Sequence, residues 1–222
     1  MPDMIISILK AMQGAVGQGA LWGIMALGIY ITYRILDIAD LTVDGSFALG
    51  GCTCGILLAG GGFDPIAATL IASLAGVAAG AVTGILHTQC RIPAILAGIL
   101  TQLGLYSVNL RILGKSNQPL LKVETIFNGI VDATGLEKAW VSILVGAVVL
   151  IILIAVLYWF FGTEMGSAIR ATGSNENMAR SQGMNTNFYK ILGLAVSNGL
   201  VALSGALISQ HQGYADVKQG IG

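Results

Sequence analysis

The chain has 222 residues, 55% of them hydrophobic and 10% charged, and its 11 basic residues balance its 11 acidic ones. A soluble domain carries about 25% charged residues and about 7% glycine; here the charge is less than half of that, and glycine, at 31 residues, is about double. Together with a mean hydropathy of +0.81, these figures exclude a disordered chain, a disulfide-rich secreted domain and a nucleic-acid binder, and leave a polytopic membrane protein.

Residues 1–10 hold one apolar stretch between Asp3 and Lys10. They lack the basic start and small-residue cleavage site of a secretory signal, so they read as a short interfacial helix. Six runs without Asp, Glu, Lys or Arg follow: residues 11–33, 45–63, 65–90, 92–110, 139–163 and 191–215. Each is close to the about 20 residues that carry a helix across a bilayer core. The runs are continuous rather than alternating, which favours helices over barrel strands, and a helix satisfies its own backbone in hydrocarbon. The expected fold is therefore all-α, a single transmembrane domain over residues 1–222 with about six spans in a bundle. On the third span Ala72, Gly76, Gly80 and Gly84 recur every four residues, and Gly19 with Gly23 and Gly51 with Gly55 repeat the spacing. Small residues in such rows let membrane helices approach closely.

Between the first two spans, Asp37, Asp40 and Asp44 are spaced to share one face of a continuous helix. Three carboxylates facing lipid would be prohibitively unfavourable, so they face water, the bundle interior or a partner. Thr42, Gly45 and Ser46 add small polar groups. Two readings stand side by side: a gate or substrate-lining element built on Asp40, Thr42, Asp44 and Ser46, or a solvated turn whose acids cap the second span at Gly45. Cys52 and Cys54 fall on different faces of a helix and Cys90 is distant, so all three read as small buried residues and not as a metal or disulfide site, which needs converging partners.

The fourth span carries Thr101, Gln102, Ser107 and Asn109, and the sixth Ser197, Asn198 and Ser204. Such groups either bond neighbouring helices, for about 0.6 kcal/mol each, or line a pathway. Gln102 and Asn198 suit the second role best, because an amide both donates and accepts. Arg111 ends its span and either snorkels to the surface or meets a solute-delivering protein. Alternating spans put Arg34, Arg91, Arg170, Arg180 and Lys190 on one side and Lys10, Arg111, Lys115, Lys122 and Lys138 on the other. With the basic residues tied, the positive-inside rule does not decide which side is cytoplasmic.

Residues 163–190 form the most polar connection. Thr163 is suited to cap a helix through Glu164 to Thr172, Gly173 to end it, and Ser174 to open a second one that stops at Gly183. Met178, Ala179 and Gln182 are expected on one side of the second helix, with Arg180 turned away. A helix of about two turns is unstable alone in water, so it packs on the bundle or in a partner's groove; the plainer alternative is a solvated loop with a helical turn. No G-x-x-x-x-G-K-[ST] phosphate loop occurs, so any ATP-driven motor is another polypeptide. H-E-x-x-H and G-x-S-x-G are also missing from the sequence, and Ser204 or Ser209 with His211 is the one local pairing that a hydrolase could use. No catalytic, metal or cofactor site is expected.

The runs GSAIRATGSNENMARSQGMNT and LGLAVSNGLVALSGALISQHQGYADVKQGIG resemble the cytoplasmic coupling region and following span of permeases of branched-chain-amino-acid-type ABC importers. YRILDIADLTVDGSFALGG and IPAILAGILTQLGLYSVNLRILGKSNQPLL resemble more narrowly a subgroup linked to tryptophan and tyrosine import. The resemblance implies that Ala168, Arg170, Ala171, Gly173, Asn175, Met178, Ala179 and Gly183 form a coupling segment seated in a cleft of a separate ATPase subunit. It thereby puts residues 163–190 in the cytoplasm, places residues 113–138 outside, and implies an interruption within the membrane around Asp40 to Ser46. It also implies a second permease subunit, expected to be identical or similar, and an extracytoplasmic binding protein that delivers a small polar solute, an amino acid and by subgroup an aromatic one. The pathway candidates are Asp40, Thr42, Asp44, Ser46, Gln102 and Asn198. In similar permeases the run that reaches Gly222 leads to further spans, so a shortened or partial chain is expected. A passive channel or secondary transporter is the other class, since both use discontinuous helices and midplane polar groups.

Overall fold

The computed structural model describes the backbone of residues 2–121 and 123–220, and the side chains of these except residues 2–11, 61 and 133. Asp3, Lys10 and Lys122 are thus outside the described side chains. Among the described residues, six helices are long and apolar enough to cross a membrane, matching the six uncharged runs.

Helix α1 (Pro2–Tyr30) passes through the expected interfacial segment without a break and ends in a wider π turn, Ile31–Ile35, closed by Leu36 N donating to the Ile31 carbonyl at 3.0 Å. Asp37 then adopts a left-handed conformation (φ 56°), which aspartate tolerates better than most residues. Helices α2 (Thr42–Gly61), α3 (Pro65–Thr88) and α4 (Ala94–Leu113) follow, with Pro65 opening α3 where its missing N–H costs nothing. The longer connection holds a short strand β1 (Asn117–Pro119) and the small helix α5 (Ile126–Thr134). Beyond it come α6 (Lys138–Gly162), α7 (Glu164–Ser174), α8 (Glu176–Ser181), α9 (Thr186–Gln212) and strand β2 (Tyr214–Asp216).

The interior is organised around α9, which packs against α1, α2 and α3. Its closeness to α3 is set by the predicted small-residue row: a Cβ at Gly76 would overlap the Asn198 carbonyl and Ala202, and one at Gly80 the Leu194 carbonyl. On α2, Gly51 meets Gln219 and Gly55 meets Ala215. The first-span pair is a correction. Gly19 has open space around it and Gly23 only an ordinary contact with Leu150, whereas Gly17 against Ser142 and Gly28 against the Ser197 carbonyl make the close approaches of α1. Cys52 and Cys54 are buried as expected, but Cys90, beyond the end of α3, is exposed.

One end of the bundle collects residues 31–41, 87–94 and 163–190, and the other collects β1 and β2, paired antiparallel with Gln118 opposite Ala215. Past β2 the chain turns back along α2, so that Val217 is buried beside Cys52 and Gly220 lies against the Asp44 carbonyl.

Candidate functional site

Three arrangements stand out. The first is the break before α2. Asp40 Oδ1 accepts the backbone N–H of Thr42, the first residue of α2, from two residues before it at 2.9 Å. Its other oxygen accepts from Asn198 Nδ2 at 2.7 Å, and Asn198 Oδ1 accepts from the Ser46 hydroxyl at 2.7 Å. Thr42 and Thr83 share a hydroxyl contact of 2.8 Å between α2 and α3. Thr42, Ser46 and Asn198 are buried and Asp40 is partly so. The expected single face of three acids is not formed, because the π turn and the irregular residues 36–41 separate them. Asp37 is exposed at the end of the bundle, Asp40 bonds to α9, and Asp44 faces α4.

Gln102 Nε2 reaches Asp44 Oδ2 at 3.3 Å, and Asn109 Nδ2 donates to the Gly45 carbonyl at 3.3 Å. These residues form the second arrangement, a cavity of about 70 Å³ between α2 and α4, lined also by Tyr106 and Val217. Asn109 is not among the six pathway candidates, yet Gln102, Tyr106 and Asn109 sit at i, i+4 and i+7, a helical face that the spacing already contained. Val217 had no such signal, since its place depends on the chain turning back along α2. The remaining polar residues mostly tie helices: Ser197 donates to the Gly28 carbonyl and Ser204 to that of Leu21, while Thr101 bonds within its own helix and Ser107 is exposed. Ser209 donates to the Ala206 carbonyl, and His211 Nδ1 lies 3.0 Å from Ser142 Oγ. The expected pairing of Ser204 or Ser209 with His211 is therefore not made; His211 meets Ser142 of α6 instead.

The third arrangement is the α7–α8 pair. Thr163 caps α7 as predicted. Gly173 does not end it; α7 runs on to Ser174, and Asn175 both closes α7 and opens α8 through its Oδ1, which accepts from Met178 N at 2.9 Å. A side chain at Gly173 would overlap the Ile35 carbonyl. The glycine is thus a contact point between α7 and the π turn, while Gly183, at φ 82°, ends the α8 region as expected. Ala168 and Ala179 are buried, Ala171 and Gly173 partly so, and Arg170, Asn175, Met178 and Gly183 exposed. Arg170 donates to the Phe161 carbonyl at 3.0 Å, closing the end of α6. Met178 and Ala179 do not share a face with respect to solvent. Arg180 is held by Glu176 and by the Thr186 hydroxyl, and Lys190 reaches Glu176 at 2.7 Å. This keeps the Glu176 carboxyl below its usual range, chiefly through the Lys190 hydrogen bond. Beside this contact, a cleft of about 480 Å³ is lined by residues 36–39, 93–95 and 172–176 together with His87 and Lys190.

A family model described as branched-chain amino acid transport system, permease component, matches residues 11–222. The chain is 45% identical over 205 residues to a tyrosine transport system permease protein of Clostridioides difficile, covering 92% of this chain and 66% of that protein. It is 36% identical to an uncharacterized protein of Rickettsia prowazekii (89% and 67% covered) and 30% identical to the autoinducer 2 import system permease protein LsrC of Yersinia pseudotuberculosis (90% and 54%). The chain thus spans about two thirds or less of the length of these relatives. No solved structure matches. The family is a component of transport systems and not an enzyme. Its match over nearly the whole chain, joined to six helices able to cross a bilayer, makes this a multi-pass cell-membrane protein that belongs to the branched-chain amino acid transport system permease family.

Proposed function

We propose that the chain forms the solute pathway of an ATP-driven importer for an amino acid, an aromatic one first among them. In this reading a separate ATPase subunit grips α8, a second permease subunit, identical or similar, completes the pathway within the bilayer, and an extracytoplasmic binding protein delivers the solute. The observation that carries it is the seating of α7 on the break: Gly173 lies on the Ile35 carbonyl, and Ile169 packs with Leu36, Ile38 and Leu194. A displacement of the exposed surface at Arg170, Asn175, Met178 and Gly183 passes through the anchors Ala168, Ala171, Gly173 and Ala179 into residues 35–41. From there it reaches Asp40, Thr42, Ser46 and Asn198, and through α2 Asp44 and Gln102. Nucleotide shifts such an equilibrium only by binding one state of the assembly better than the other, so the lever needs a contact that differs between states, and in this reading α8 supplies it. The aromatic preference rests on the similarity to the tyrosine transport system permease protein of Clostridioides difficile.

The discontinuous start of α2 beside buried amides also fits a passive channel or secondary transporter. Uptake of labelled tyrosine by membrane vesicles that contain the complete system decides between them. Uptake against a gradient that requires ATP and the ATPase subunit supports the importer; equal uptake without nucleotide overturns it.

A further inference from the structure

The six pathway candidates divide into two kinds. Asp40, Thr42, Ser46 and Asn198 spend their side chains on one another, on Thr83 and on the α2 backbone, so they hold the break together. Asp44 differs. Among the described residues its side chain has one partner, the long contact to Gln102. Beside it Asn109 is 1% exposed and donates to the Gly45 carbonyl, which fixes the amide the other way round and leaves Oδ1 without a hydrogen-bond partner. A buried unpaired carbonyl oxygen costs about 1–3 kcal/mol. Asn109 and Asp44 both line the same 70 Å³ cavity. That volume suits a group of one or two heavy atoms, not a whole solute. Leu103 and Tyr106, 65% and 38% exposed, flank it on the outer side of α4 and offer an apolar and an aromatic surface for the rest of a ligand.

We infer that this cavity is a cation subsite, in which the Asp44 carboxylate and Asn109 Oδ1 accept hydrogen bonds from the primary ammonium group of a solute whose apolar part lies along Leu103 and Tyr106. A carboxylate and a bare amide oxygen are both acceptors, and an ammonium offers three donors and a compensating charge. An anionic group would be repelled by the Asp44 carboxylate, and a hydrocarbon would leave Asn109 Oδ1 unpaired. For the imported solute, the inference rests on the importer reading; for the cavity itself it does not.

The test uses membrane vesicles from cells that express the protein with the exposed Cys90 replaced by serine and Leu103→Cys at the mouth of the cavity, Tyr106→Cys serving as a second position. Thiol modification by 2-aminoethyl methanethiosulfonate is compared with that by the 2-sulfonatoethyl reagent. The cationic reagent is expected to be favoured about tenfold beyond its ratio on a free thiol, the effect of a carboxylate several Å away at intermediate dielectric. Asp44→Asn should return the ratio to the free-thiol value, Asn109→Leu should lower it, and Asn109→Asp should raise it. A free-thiol ratio at both cysteine positions, a ratio indifferent to Asp44→Asn, or no reaction with either reagent overturns the subsite. Protection by tyrosine but not by 3-(4-hydroxyphenyl)propanoate, which lacks only the ammonium, joins the solute to the site. Equal protection by both overturns the ammonium assignment. Protection by neither, with the charge preference intact, sinks the tyrosine reading and leaves the subsite standing.

Discussion

Asn198 and Asp40 are joined by a 2.7 Å hydrogen bond across the break in front of α2, and the same amide takes the Ser46 hydroxyl on its other face, so one side chain of α9 ties both sides of the interruption. The amide is fully buried, with its Nδ2 also donating to the Leu194 carbonyl. Its removal therefore takes the α9 partner from Asp40 Oδ2 and from the buried Ser46 hydroxyl.

Asn198→Leu is expected to destabilise the protein by at least about 1–3 kcal/mol, the cost of stranding buried polar groups. Asn198→Asp should cost more, since it sets a second carboxylate against Asp40. Denaturant unfolding in mixed micelles measures both. An unchanged midpoint in the two variants would show that the tie carries no weight.

The α3–α9 contact gives a second prediction. Gly80→Ala forces a methyl into the Leu194 carbonyl, and overpacking of this sort costs about 1–3 kcal/mol. Gly19→Ala meets open space and should stay within about 0.5 kcal/mol of the parent. Equal stabilities for the two would mean that the helices separate freely, and the close packing would lose its assigned role.

Much of this was legible in the sequence because bilayer physics writes it plainly. Six uncharged runs marked out six helices, and the four-residue row ending at Gly84 showed which face of α3 meets a neighbour. The acids were harder. Their spacing described a face of a helix that the π turn at Ile31–Ile35 and the left-handed Asp37 abolish, and a bent backbone leaves no period to read. Asn198 was legible as a buried amide, but its partners Asp40 and Ser46 belong to the far end of the sequence and come from packing. Gly173 carries the same lesson. Local rules make glycine a helix terminator, yet here it continues the helix because the Ile35 carbonyl needs its space.

Glu176 supplies a pH dependence. Its folded pKa is depressed below the usual 4.5, first by the Lys190 hydrogen bond. The docking of α8 that it supports is then fully present above the unfolded value and is lost as pH falls through the lower folded value. Amide hydrogen exchange in residues 176–190 should show constant relative protection from neutral pH to about 5, after correction for intrinsic exchange rates, and a loss below about 4.5. Glu176→Gln should show the reduced protection at every pH. Protection that rises on acidification would reverse the assigned sign.

Met178 separates the lever from the scaffold. It is 50% exposed while its neighbour Ala179 is fully buried, so the two positions have different jobs one residue apart. Met178→Ala removes surface from α8 without opening a cavity in the bundle, and stability should stay within about 0.5 kcal/mol. If an ATPase grips this surface, ATP-driven uptake falls about tenfold, the size expected for losing one well-packed interface side chain worth above about 1 kcal/mol, while nucleotide hydrolysis persists. Gly173→Leu acts at the other end of the same linkage: it pushes α7 off the Ile35 carbonyl, so uptake falls together with the protection of residues 31–41 against hydrogen exchange. Measuring uptake, hydrolysis and unfolding on both variants separates the roles. Full uptake by the Met178→Ala protein would remove α8 from the coupling path, and the Gly173→Leu result would then report only on the packing of α7.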